Sequence, residues 1–258
     1  MSTVSATCRH CGQTFFYERP DDVQAAAHLQ RHLCDPCGVV YGAERAAAEA
    51  REAQQRALEE RNIPKHYWGA TFEGFEGRTA QQRCALECCR DRSMDGVFLY
   101  GPPGCGKTHL ACAATVAGPE GSLFVGTAEL IDDIKAAFDG GGRRLFGRAI
   151  RAPLLAIDDF GMETMSEFVA GRIYLLLNER YNADRPLIIT TNCSPQEIGG
   201  RLGPGCRSRI VGLCRSRIEV VGEDMRFRPP GRALRRDHDH DGLADGMAPP
   251  VPAPQDLP

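Results

Sequence analysis

No stretch of about 18 consecutive apolar residues occurs in this sequence, so it offers no segment fit to cross a membrane as a helix. The N-terminus also lacks the apolar core of a secretory signal. Nor is either charge in excess: 31 basic side chains against 34 acidic ones leave a net charge of −3. That balance excludes a global electrostatic pull toward nucleic acid, and any such binding must come from a local patch. Together these absences predict a soluble, cytoplasmic protein with no membrane partner. With 258 residues, 42% of them hydrophobic and 25% charged, the chain suits one ordinary domain core with small attachments.

Cysteine, by contrast, is plentiful. Four of the twelve stand in two Cys-x-x-Cys-Gly units, Cys8, Cys11 and Gly12, then Cys34, Cys37 and Gly38. Their separation of about twenty residues suits a four-thiolate zinc site, and the glycine suits the tight turn after each second cysteine. Two other readings are open. His28 and His32 are spaced i, i+4 on a predicted helix over 22–33, and Phe15 follows Cys11 as in a two-Cys, two-His finger; a metal-free redox pair is the third. The finger would need a shorter loop and would leave Cys34 and Cys37 unused. Residues 1–41 are therefore read as a zinc-binding module held by Cys8, Cys11, Cys34 and Cys37. So small a module has little core, and zinc would supply its folding energy. The other eight cysteines lie at apolar or loop positions and read as ordinary thiols of a reducing compartment.

Residues 43–61 are rich in Ala, Glu, Arg and Gln without Gly or Pro, which predicts a helix. Glu52 and Arg56 are oriented for an i, i+4 pair. Its apolar face is mostly alanine, so residues 42–62 are read as a lightly packed linker helix that Pro64 stops. A turn-rich aromatic segment, 63–76, follows and carries Tyr67, Trp68, Phe72 and Phe75. These rings could pack on a nucleobase or staple the linker to the core, and the sequence favours the staple. Residues 78–92 then read as a helix.

The most specific signal comes next. Gly101, Pro102, Pro103, Gly104, Cys105, Gly106, Lys107 and Thr108 fit G-x-x-x-x-G-K-[ST] in full. An apolar strand over 96–100 precedes them, and a helix begun by His109 follows. Strand, glycine-rich turn and helix is the arrangement whose backbone N–H groups cradle phosphates at a helix N-terminus. Lys107 would reach the β- and γ-phosphates, and the Thr108 hydroxyl would ligate Mg²⁺. The chain is therefore expected to bind ATP with Mg²⁺. Downstream runs an α/β rhythm: a strand over 122–126, a helix over 128–138 capped by Thr127, a glycine break, and a short basic helix over 143–151. The apolar run 154–157 ends in Asp158 and Asp159, the pattern that sets carboxylates at the edge of a parallel sheet. Asp158 would complete the Mg²⁺ shell, and Asp159 would polarise the attacking water. A helix over 166–182 and a buried strand over 186–192 follow, with Asn192 at the strand tip placed to orient that water. A plain turn role for Asn192 stays open.

These residues carry a resemblance. The stretch 63–228 resembles the AAA+ ATPases of the DnaC helicase-loader and IstB transposition-helper type. The matching pieces are Ile63-Pro64, the segment 71–75, the loop 101–108, Glu129-Leu130, the segment 158–163, Arg180-Tyr181, the segment 189–192, and Ser208-Arg209-Ile210. The resemblance implies a P-loop parallel sheet flanked by helices with no C-terminal lid domain. It makes Lys107 and Thr108 the Walker A pair, Asp158 and Asp159 the Walker B pair, and Asn192 sensor 1. Arg209 then matches the arginine finger that completes a neighbouring subunit's site and ties hydrolysis to self-association. Ser216-Arg217-Ile218 echoes that motif, so Arg217 is the alternative finger. Arg226 fits the end of the family pattern without an assignable role.

The resemblance further implies single-stranded DNA and a replicative DNA helicase as partners, or a transposase in the transposition branch. Lys135, Arg143, Arg144, Arg148 and Arg151 beside the glycine break suit a sequence-blind backbone contact, against the alternative of a solvated helix face. From residue 229 the chain has almost no large apolar side chains and reads as a disordered tail. The expectation is an ATP-dependent helicase loader, an ATPase that is weak until it assembles. The alternatives are an IstB-like helper of a transposase and a zinc-dependent adaptor that senses ATP without hydrolysing it.

Overall fold

The computed structural model describes residues 2–19, 35–91, 96–137, 144–161, 163 and 166–225. Among them no helix is long and apolar enough to cross a membrane. The predicted helix over 22–33 with its His28 and His32, Cys34, Arg143, Arg226 and the tail lie outside the described residues.

The chain begins with an antiparallel hairpin that the sequence reading did not contain. Strand β1 (Ser2–Thr7) pairs with β2 (Thr14–Arg19), and Cys8, Cys11 and Gly12 make the turn between them. Helix α1 runs Asp35–Glu60, so it starts earlier than the alanine-rich composition indicated and includes Cys37 in its first turn. Side chains 43–57 are exposed, and Leu58 is the first of the helix to enter the core. The ion pair between Glu52 and Arg56 spans 3.9 Å, too exposed to stabilise by more than about 0.5 kcal/mol.

The rest of the fold is an α/β sandwich built on a five-stranded parallel sheet of order β4-β5-β6-β3-β7. Its strands are β3 (Val97–Tyr100), β4 (Leu123–Gly126), β5 (Leu155–Asp158), β6 (Leu187–Thr191) and β7 (Ser216–Glu219). The first four read as continuous apolar runs because both faces of a parallel sheet are covered. Helices α2 (Ala80–Arg90) and α3 (Lys107–Ala117) cover one face, with the 63–75 segment packed beside them. Helices α4 (Thr127–Ala136), α5 (Arg144–Arg151), α6 (Glu167–Asn182) and α7 (Pro195–Leu213) cover the other. Alternate residues of β3 divide between the faces: Val97 and Leu99 join one core, Phe98 the other. Helix α7 is kinked at Gly203, whose φ of 80° and neighbouring Pro204 interrupt the helical ladder.

Side-chain caps set several boundaries. Thr79 and Ser194 each make a capping box, at α2 and α7, and the Ser166 hydroxyl accepts from the Val169 N–H at α6. Asp133 accepts from the Phe146 N–H at 2.9 Å and satisfies the start of α5. Thr127 was expected to cap α4, but Gly126 holds that position. The Thr127 hydroxyl instead donates to the Asp158 carbonyl at 2.7 Å, because β4 lies beside β5 and brings it across the sheet edge.

Two arginines lock elements together. Arg61 donates to the carbonyls of Thr115, Val116 and Gly118 at the C-terminal end of α3. Arg180 is fully buried and donates to the carbonyls of Ala149 (2.7 Å), Ala152 (2.9 Å) and Pro186 (2.5 Å), joining the end of α5 to the entry of β6. Burial pulls its pKa down to about 9, which still leaves it charged at neutral pH. Arg180→Ala should strand three buried carbonyls and lower stability by about 3 kcal/mol, read by urea unfolding. An unchanged midpoint would show that water replaces the guanidinium at no cost.

Candidate active site

The carboxyl ends of β3, β5 and β6 meet in one place, and the sheet order explains why. Strand β6 lies between β3 and β5, so Asn192 after β6 falls beside the loop after β3 on one side and the Asp158-Asp159 pair on the other. The loop 101–106 turns through left-handed glycines, with φ of 77° at Gly104 and 96° at Gly106, and delivers Lys107 to the first position of α3. Only glycine fits these two. A Cβ on Gly104 would overlap the Asp224 carboxylate, and one on Gly106 would lie 2.5 Å from the Phe75 ring.

Lys107 is 5% exposed, and its ammonium donates to Gly101 O (2.9 Å), Pro102 O (2.7 Å) and Asn192 Oδ1 (2.9 Å), with a longer contact to Cys105 Sγ (3.7 Å). The Thr108 hydroxyl donates to Asp158 Oδ1 at 2.9 Å, and the Thr190 hydroxyl donates to the same oxygen. Burial lifts the Asp158 pKa above the usual carboxylate range, against the pull of the Thr190 and Thr108 hydroxyls and of Lys107. Asp159 takes a left-handed φ of 51°, uncommon for a residue with a side chain, and its N–H donates to Thr190 Oγ1 at 3.1 Å. The Cys105 thiol is buried and turned onto Pro102 O at 3.0 Å. His109 shares a 2.9 Å hydrogen bond with Thr71 O and leans on the Phe75 ring.

A cavity of about 730 Å³ opens over this cluster, within the size range of small-molecule sites. Pro103, Gly104, Gly106, Lys107, Thr108, His109, Asp159 and Asn192, all singled out in the sequence, line it. Three further lining residues, His66, Tyr67 and Met225, were not assigned to the site from sequence. The staple reading of 63–76 suits Ile63 and Phe75, both buried, and Trp68, whose indole N–H donates to Ile63 O at 3.0 Å. His66 and Tyr67 face the cavity instead. Met225 arrives because β7 pairs with β3, so the chain after β7 crosses the loop: Val220 N–H donates to Tyr100 O at 2.7 Å, and Met225 N–H to Gly104 O at 2.9 Å.

Arg209 and Arg217 are not brought to this cavity by their own chain. Arg209 stacks over the Tyr181 ring, 4.6 Å from its centroid, and Arg217 stands on the edge strand β7. Of the basic patch, Lys135, Arg144 and Arg151 are exposed, while the Arg148 guanidinium donates to the Glu60 carbonyl. At the N-terminus the hairpin turn is tied by Cys8 N–H to Gln13 O (2.8 Å) and Gly12 N–H to Cys8 O (3.0 Å). No metal-holding group of three or more His, Cys, Asp or Glu residues forms among the described residues, which omit Cys34 and the Cys37 side chain.

The Thr108 hydroxyl and the Asp158 carboxylate form the hard-oxygen pair that Mg²⁺ requires. Comparison with known proteins now bears on this geometry. The sequence pattern of the family described as IstB-like ATP binding protein matches residues 21–227. The chain belongs to the IstB-like ATP-binding family. An ATP-binding protein in an insertion sequence of Mycobacterium tuberculosis is 32% identical over 183 residues, 63% of this IstB-like chain and 71% of the relative. The replicative helicase loader DnaC of Escherichia coli is 26% identical over 185 residues, 66% of this chain and 76% of the loader. Among solved structures, the crystallised chain of a DnaC helicase loader is covered in full, against 61% of this chain, with a TM-score of 0.54 and 27% identity. AMPPCP-bound DnaA from Aquifex aeolicus shares the fold, with a TM-score of 0.52 and 21% identity over 61% of this chain and 52% of that one. The IstB-like protein is thus an AAA+ ATPase that binds ATP.

Proposed function

We propose that this chain is an ATP-dependent loader that places a replicative DNA helicase on single-stranded DNA and changes its grip with nucleotide state. The observation that carries the reading is the likeness to the whole of a solved DnaC helicase-loader chain, together with a phosphate-loop cluster assembled inside the residues that the family pattern matches. Lys107 gives up its loop carbonyls for the β- and γ-phosphates, while the N–H groups of residues 104–108 hold the phosphate oxygens at the start of α3. Thr108 and Asp158 would hold Mg²⁺, which would neutralise charge on the phosphates. Asp159 accepts a proton from the attacking water, and Asn192, released from Lys107, orients that water. Arg209 completes the site of a neighbouring copy, with Arg217 as the alternative, so an isolated subunit turns over slowly.

Lys135, Arg144 and Arg151 form a backbone contact for single-stranded DNA. Cys8, Cys11, Cys34 and Cys37 hold zinc; the two Cys-x-x-Cys-Gly units support this reading, and Cys8 and Cys11 lie in a tight hairpin turn. A metal assay on the purified chain should return one zinc per chain, lost on Cys8→Ser/Cys11→Ser.

The insertion-sequence relative supports a second reading, an ATPase helper of a transposase. A tagged Asp159→Asn variant held in the ATP state and used as bait separates the two. Recovery of a hexameric helicase supports the loader, recovery of a transposase moves the same chemistry to transposition, and recovery of neither would sink both.

A further inference from the structure

We propose that the cavity between α7 and the edge of the sheet binds one nucleotide unit, a base with its phosphate, apart from the phosphate-loop cavity. It measures about 500 Å³ and shares no lining residue with the cavity over Lys107. Phe98, Tyr100 and Ile210 line its apolar part, and Gln196, Arg207 and Arg217 its polar part. The register of the sheet places Arg217 directly beside Phe98, so guanidinium and aromatic ring stand on one face. Arg207 folds its stem back against Gly199, toward the first turn of α7, where Gln196 stands.

The electrostatics favour an anion. Two guanidinium groups line the cavity and no carboxylate does; Glu219, two residues along β7 from Arg217, is not part of the lining. Neither arginine forms an ion pair or a hydrogen bond with another described residue, so the structure uses neither as a clamp of the kind made by Arg61 or Arg180. The stretch 198–218 carries Arg201, Arg207, Arg209, Arg215 and Arg217 without an acidic residue. Phe98 is 1% exposed and only floors the cavity, so the half-buried Tyr100 ring beside the two arginines is the face on which a base stacks while its phosphate is paired, and every base can use it. Tyr100 immediately precedes Gly101, so a base on its ring sits one residue from the phosphate loop. The inference does not depend on the loader reading, since the unit can arrive as free nucleotide or within a single strand.

Photo-crosslinking of the full chain tests it. With AMPPCP and Mg²⁺ saturating the phosphate-loop cavity, a single-stranded oligonucleotide carrying 5-iodouracil is irradiated and the labelled peptides are mapped. Label on the peptide containing Tyr100 is expected, and Arg207→Gln/Arg217→Gln should reduce it at least about tenfold. Competition by thymidine 5′-monophosphate would mean that free nucleotide suffices; absence of competition would mean that the site takes its unit from a strand. Label confined to other peptides overturns the proposal, as does Tyr100 label unchanged in the double variant. The wild-type mapping stands even if the double variant fails to fold. Capture of no helicase by the Asp159→Asn bait would leave this result untouched.

Discussion

Lys107→Ala is expected to lose ATP binding, with affinity falling at least about 100-fold through loss of charge-assisted contacts to two phosphate groups. The loss should be specific. The ammonium contacts only the loop carbonyls of Gly101 and Pro102, the Cys105 thiol and Asn192, none of them part of the sheet ladder. The unfolding midpoint should therefore stay close to that of the unchanged protein, while titration with a fluorescent ATP analogue shows no saturation. Affinity retained within about threefold would remove Lys107 from the phosphate site, since one such contact alone accounts for more.

Asp159→Asn should do the opposite. Asparagine is among the few side chains that tolerate a left-handed φ, so the turn after β5 keeps its shape and ATP affinity changes by less than about threefold. A carboxylate that accepts the water's proton is worth roughly a hundredfold or more in rate, and single-turnover phosphate release should fall by that factor. Because the proposed finger comes from another copy, the measurement belongs at concentrations where the chain self-associates. Hydrolysis at the unchanged rate would return Asp159 to a structural part, with its N–H to Thr190 Oγ1 as its main contribution.

That the candidate site residues would meet was legible because each group of them ends an apolar run. A glycine-rich turn after Tyr100, two acids after Ile157 and an asparagine after Thr191 need only a parallel sheet to bring them together. What stayed hidden depends on strand order. That β7 pairs with β3 is a long-range fact, and with it come Asp224 against Gly104 and Met225 in the cavity wall. Thr190 was readable as part of a strand but not as the hydroxyl that donates to Asp158 and accepts from the Asp159 N–H, because its burial beside Asp158 follows from the β5–β6 register. Arg180 matched a family pattern, yet nothing local in the sequence marks it as a buried clamp on three carbonyls of other elements.

The attachment of α1 has a mechanical consequence. A helix of 26 residues is about 39 Å long. Its C-terminal end is bolted through Arg61 to the last turn of α3, the helix whose first residue is Lys107. It therefore has the geometry of a lever, fixed at the helix that carries Lys107 and with its side chains exposed over residues 43–57. A tilt of about 5° at Arg61 carries Asp35 through roughly 3 Å, enough to make or break a hydrogen bond at the far end. A tilt too small to reshape the sheet would thus be magnified at Asp35, where the helix begins, and stiffness along α1 would decide how faithfully it is transmitted.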